Sequence, residues 1–193
     1  MYGDIQRWFK TEGARLLKDI GIRSGYVVLD LGCGRGHYTI PAAKVAGKTG
    51  RVYALDKKGT AFDKLMEKAA AMNLNNIIAV QSLEELRLFL NADSLDVVLL
   101  YDVLHSYYFT PEEREILLES INSLMKNYSL LSIFPKHMRS IEIKGIKDKL
   151  TTLGFYLESE IRAHLIHDAS YDTGNILNFR KGVESDYAQN QTI

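Results

Sequence analysis

A single cysteine, Cys33, stands among 193 residues. One thiol closes no internal disulfide and builds no multi-thiolate metal site, so a disulfide scaffold is excluded and a reducing, cytoplasmic setting is expected. Excess charge is missing too. The 24 basic and 24 acidic side chains cancel, leaving no global field toward phosphate backbones or anionic lipid, and nucleic acid is not a favoured partner. No run of about 18 uncharged apolar residues occurs, which excludes a membrane-spanning helix. Residues 1–9 mix charge with aromatics and lack the apolar stretch of a signal peptide. Internal repeats and linkers rich in Pro, Gly or Ser are also absent, so no second domain is expected.

What is present suits one folded core. Hydrophobic residues make up 46% of the chain and charged ones 25%, the ordinary balance of a globular domain. One domain is expected over residues 1–182, with the polar, aperiodic segment 183–193 as a frayed tail. Aliphatic and β-branched runs alternate with amphipathic patterns, the signature of a doubly wound α/β sheet with helices on both faces. Strands are expected at 26–31, 51–55, 77–81, 95–101, 129–134, 155–161 and 175–181, and helices at 38–46, 61–72, 83–90, 111–125 and 138–153. The surest start is at Thr110, a hydroxyl cap before Pro111, with Glu112 and Glu113 set against the helix dipole. A further helix over 4–20, within an N-terminal segment 1–22, carries Ile5, Trp8, Phe9, Leu16 and Leu17. Its aromatics, with Tyr2, read either as core or as a cover over a pocket.

The segment Val27-Val28-Leu29-Asp30-Leu31-Gly32-Cys33-Gly34-Arg35-Gly36 sets a buried strand directly before three alternating glycines and a helix. Glycine admits positive φ and lets a ligand reach the main chain, and amides at a helix start are expected to bind an anionic group. Asp56 follows the second strand, where a carboxylate can accept from both hydroxyls of a ribose. Together these imply a nucleoside ligand. A dinucleotide fingerprint would carry glycine at 37, where this chain has His37, and Asp30 would repel a pyrophosphate. The same carboxylate attracts an ammonium or sulfonium group, which selects S-adenosylmethionine.

These segments, with Val52-Tyr53-Ala54-Leu55-Asp56-Lys57 and the stretch 95–107, resemble motifs I, II and IV of the class I S-adenosylmethionine-dependent methyltransferases, over about residues 25–155. Within them the chain is similar to the broad group that includes the ubiquinone and menaquinone C-methyltransferases. The resemblance implies a Rossmann-like, seven-stranded, mostly parallel sheet whose last strand is antiparallel. It further implies that Asp30, Gly32, Cys33, Gly34 and Gly36 line the methionine part of the donor, that Asp56 holds the ribose, and that Lys57 lies beside the adenine. Family members often place an acid after the third strand. Here Gln81 and Ser82 stand there as alternative polar partners. The Asn-Pro-Pro-Tyr motif of family enzymes acting on amino groups of adenine or glutamine is replaced by Leu100-Tyr101-Asp102-Val103, which favours a small-molecule acceptor.

Leu100 and Tyr101 end the fourth strand, at the rim where open parallel sheets bind ligands. Tyr101 reads as an aromatic wall or as a contact to donor or acceptor, and Asp102 as a turn cap or part of the acceptor pocket. His105 can act as a base toward an acceptor or stand as a structural histidine. His137 is a candidate acceptor contact, and His37 a surface residue or a neighbour of the donor. Cys33 reads as small packing material. The histidines are scattered in sequence and no metal site is expected. Methyl transfer by direct displacement needs alignment in a dry site and no protein nucleophile. The alternatives are a nucleotide-dependent oxidoreductase, which Asp56 suits and His37 and Asp30 do not, and a non-catalytic S-adenosylmethionine-binding protein. An exposed edge near the last strands leaves monomer and homodimer both open.

Overall fold

Seven strands pair into one sheet in the order β3-β2-β1-β4-β5-β7-β6. The computed structural model describes residues 2–57, 59–167 and 170–182. The segment expected to form a frayed tail, 183–193, and the side chain of Tyr2 lie outside what is described. The strands are β1 (Val27–Leu31), β2 (Arg51–Leu55), β3 (Ile77–Val80), β4 (Leu95–Tyr101), β5 (Met125–Phe134), β6 (Phe155–His167) and β7 (Ser170–Lys181). Pairing is parallel from β3 through β5, and only β7, set between β5 and β6, runs antiparallel. The doubly wound, Rossmann-like sheet with an antiparallel last strand is as the sequence implied.

Successive side chains of a strand point to opposite faces, and this divides the interior into two cores. Val28, Val97, Leu99 and Tyr101 join one core with Leu17, Ile40, Phe62 and Leu65. Those partners come from α2 (Gly13–Asp19), α3 (Thr39–Ala46) and α4 (Thr60–Ala71). Leu29, Leu31, Val98 and Leu100 join the other core with Leu86, Leu118, Ile121 and Leu150, carried by α5 (Leu83–Phe89), α6 (Pro111–Leu124) and α7 (Ser140–Thr152).

The first helix is interrupted. After α1 (Tyr2–Arg7) the residues Trp8–Glu12 form a π-helical turn that passes into α2. The wider turn places Trp8 and Phe9 inward, and the Trp8 indole N–H donates to the His37 carbonyl at 2.6 Å. Trp8 is 1% exposed, so the aromatics of this segment are core, fastened to the residue just past the glycine turn.

Three strand limits differ most from the sequence reading. Strand β5 starts at Met125, directly after α6, and its pairing with β4 shifts between Leu95 and Val97, whose partners are Met125 and Leu130. The intervening residues bulge, with Tyr128 at φ 61°, which hid the strand start. The last hairpin is also longer than expected. The expected limits, 155–161 and 175–181, cover only its base, whereas β6 and β7 remain paired out to His167 and Ser170. No described helix is long and apolar enough to cross a membrane.

Candidate donor and acceptor site

The glycine turn sits on the C-terminal edge of β1. Gly32, Gly34 and Gly36 all have positive φ. At Gly36 a Cβ would lie 2.2 Å from Leu65 Cδ1, so only glycine lets α4 pack against the turn. At Gly34 the nearest atom to such a Cβ is the Gly32 carbonyl oxygen at 4.0 Å, leaving the main chain open to a ligand.

Four amides of the turn are taken up within the fold. Gly32 and Cys33 donate to the Leu55 carbonyl, Gly36 donates to the Cys33 carbonyl, and Gly34 donates to Asp56 Oδ2 at 2.7 Å. The turn therefore spends its donors on its own closure and on the acid after β2. Cys33 is buried, and burial pushes its thiol well above the ordinary range.

Two carboxylates flank this turn from different depths. Asp30 is 2% exposed and accepts from the Thr39 hydroxyl at 2.5 Å. Burial raises its pKa to about 6, with the Thr39 hydrogen bond pulling the other way and the Asp56 charge adding to the rise. Asp56 is half-buried; besides Gly34 it accepts from the Lys57 amide at 2.7 Å through Oδ1. Each carboxylate oxygen has a second lone pair, so Asp56 keeps further acceptor capacity. Lys57 and Gln81 are exposed beside it. Ser82 caps α5, its hydroxyl accepting from Glu85.

Leu100 and Tyr101 take opposite directions because a strand alternates. Leu100 is fully buried in the core beneath α5, α6 and α7 and has no surface to give a ligand. Tyr101 lies on the Asp30 face, its ring edge-on to Tyr38 at 4.6 Å between centroids. Its hydroxyl pairs with Ser132 Oγ at 2.9 Å and its ring packs edge-on to Phe134 as well, so the side chain is core with 6% of the residue exposed. His37 stands against Phe9, with ring centroids 5.8 Å apart.

The next residue, Asp102, organises a cluster the sequence order did not reveal. His137 Nδ1 lies 3.0 Å from its Oδ1, His167 Nε2 lies 2.7 Å from its Oδ2, and His105 Nε2 lies 3.9 Å from Oδ1. Histidines scattered in the chain are thus neighbours in space, so sequence scatter is no argument against a metal site. Three strand ends deliver them: β4 leads to Asp102 and His105, β5 to His137, and β6 ends on His167. The hairpin end is held there by Tyr38, whose hydroxyl donates to the Ile166 carbonyl at 2.9 Å. Asp102 and His137 have φ of 54° and 59°, a left-handed conformation sparsely used by residues with a Cβ and concentrated at functional positions. His167 escaped the sequence reading because its strand was ended too early.

A family model described as "Methyltransferase domain" matches residues 28–128. The curated proteins similar to the chain include a probable cobalt-precorrin-6B C(15)-methyltransferase (decarboxylating) of Saccharolobus solfataricus, 38% identical over 69 residues, which are 35% of this chain and 35% of that protein. The match thus spans about a third of that relative. Among solved structures, a SAM dependent methyltransferase from Aquifex aeolicus superposes with a TM-score of 0.67 at 22% identity, covering 90% of this chain and 92% of that one. A putative rRNA-methylase from Clostridium thermocellum superposes at 0.60 with 17% identity, over 87% and 97%. At these identities the superpositions show a common fold.

Proposed function

Because the chain belongs to the methyltransferase domain family, we propose that it transfers a methyl group from S-adenosylmethionine to a small-molecule acceptor held at the C-terminal ends of β4 and β5. The carrying observation is the glycine turn set between two carboxylates, Asp56 bonded to it and Asp30 behind it. These residues fit a cationic amino-acid nucleoside. The remaining acceptor capacity of Asp56 suits the hydroxyls of a ribose, the open main chain at Gly34 admits the ligand, and the charge of Asp30 favours an ammonium group. Lys57 and Gln81 border the place left for the adenine.

When bound, the donor supplies a methyl carbon already activated by its sulfonium. The protein's task is to align the acceptor and keep water out. The Tyr101 ring walls the site on the sheet side. Asp102 and His105 stand where an acceptor proton would be removed, and His137, half exposed, contacts the acceptor. The zero net charge supports a small acceptor over a nucleic acid.

Titration calorimetry tests the donor assignment. The chain is expected to bind S-adenosylhomocysteine at one molecule per chain and to ignore NADH. Asp56→Ala, which removes a charged hydrogen-bond acceptor, is expected to weaken binding by about 10- to 100-fold. Uptake of NADH alone, or of neither compound by folded protein, would sink the proposal.

A further inference from the structure

The geometry points to a metal site. Asp102 Oδ1, His105 Nε2 and His137 Nδ1 would bind one divalent first-row transition ion, zinc foremost, with His167 positioning the carboxylate. Ligand atoms of Asp102, His105 and His137 all lie within 4.8 Å of one another. Bonds of about 2.0–2.2 Å to a tetrahedral ion put neighbouring ligands roughly 3.3–3.6 Å apart, so an inward movement of about an ångström closes the set. Two imidazoles and one carboxylate are the ligand number and type of zinc sites that keep a fourth position open.

The surroundings agree with that use. His167 Nε2 on Oδ2 leaves Oδ1 to the ion, and a ligating carboxylate is ordinarily fixed by such an outer hydrogen bond. The left-handed backbone at both Asp102 and His137 turns two ligands toward one point. The side chains of Asp102, His105 and His167 are 21%, 12% and 18% exposed and that of His137 is 51% exposed, so the site is walled on three sides and open at His137. Two contacts must yield: the His137 Nδ1–H donated to Asp102 Oδ1, whose proton ligation displaces because both atoms would bind the ion, and one at His105. The Tyr107 N–H donates to His105 Nδ1 at 3.3 Å, whereas ligation through Nε2 places a proton on Nδ1; at that length the contact is weak.

The role of the ion rests on the methyl-transfer reading, and with the ion bound Asp102 and His105 act as its ligands and not as bases toward the acceptor. Its open position would hold an anionic oxygen or sulfur of the acceptor, which names the acceptor class: a phenol, enol, carboxylate or thiol. The site itself rests on geometry alone and is tested without the donor.

The experiment uses the full chain, stripped with chelator and desalted, then titrated with zinc chloride and separately with cobalt chloride. Uptake of one ion per chain, with a visible cobalt absorption band, is expected. His137→Asn removes a largely exposed ligand and keeps a residue that tolerates the left-handed backbone. With an unchanged melting temperature it should abolish the band and the uptake, as should Asp102→Asn. His167→Ala, which removes the hydrogen bond on the carboxylate and a ring packed 4.9 Å from that of His137, should weaken uptake by about 10- to 100-fold. His164→Ala, on the outer face of the same hairpin, should leave it unchanged. No uptake by the folded wild type, or equal uptake by His137→Asn, overturns the site. Metal uptake by a chain that ignores S-adenosylhomocysteine would leave the site standing and remove the methyl-transfer reading.

Discussion

On the donor assignment proposed above, Asp30 is a buried group that serves binding at the expense of stability. Its folded-state pKa of about 6 lies above the ordinary value of 3.8, chiefly because burial penalises the charge. The folded chain therefore binds this proton more tightly than the unfolded one between pH 3.8 and about 6. Stability that is full below that window is lost as pH rises through it, by about 3 kcal/mol at most. Asp30→Asn keeps an acceptor for Thr39 and removes the charge. It is expected to be more stable than the wild type at pH 7, by up to about 3 kcal/mol, and equal to it near pH 4. Urea denaturation at both values checks this, and a gap independent of pH would contradict it. The same variant should bind S-adenosylhomocysteine more weakly, since the ligand's ammonium loses a nearby negative charge.

Among the elements, α6 is set by local chemistry and in turn sets the loop that carries His105. Thr110 Oγ1 accepts from Glu113 N at 3.2 Å, and the Glu113 carboxylate accepts from Thr110 N at 2.8 Å, a reciprocal cap just ahead of Pro111. Thr110→Ala is expected to cost about 1 kcal/mol, read as a lower denaturation midpoint with an unchanged slope. The fold should persist, because Leu117, Leu118 and Ile121 remain buried. The hairpin of β6 and β7 is the opposite case. Its outer half alternates, with Ile161, Ala163 and Leu165 less exposed than Glu160, Arg162 and His164. The period of two is in the sequence, but charged residues dilute it and no turn signal of known type closes it.

At the scale of the whole molecule, the two cores share one sheet, and no strand belongs to either core alone. We propose on this ground that residues 2–182 unfold as one unit. Far-ultraviolet dichroism and the fluorescence of Trp8, which reports on the core around α2 and α3, should give superimposable urea transitions; separated midpoints would divide the domain. The sheet leaves β3 and β6 as its edges, so a homodimer through the end bearing β6, if formed, would extend the sheet there.

The sequence by itself determined the seven strands, their α/β alternation, the glycine turn, its two acids and the cap of α6. Each of these is written in contiguous residues, as a period, a glycine or a capping pair. Only the tertiary structure decided that the amides of Gly32, Cys33, Gly34 and Gly36 are taken up by the turn itself, Leu55 and Asp56, and that three histidines meet around Asp102. The cluster depends on side chains 35 and 65 residues apart arriving at one sheet edge. Such arrivals follow from strand order and hairpin length, which no local pattern of residues encodes.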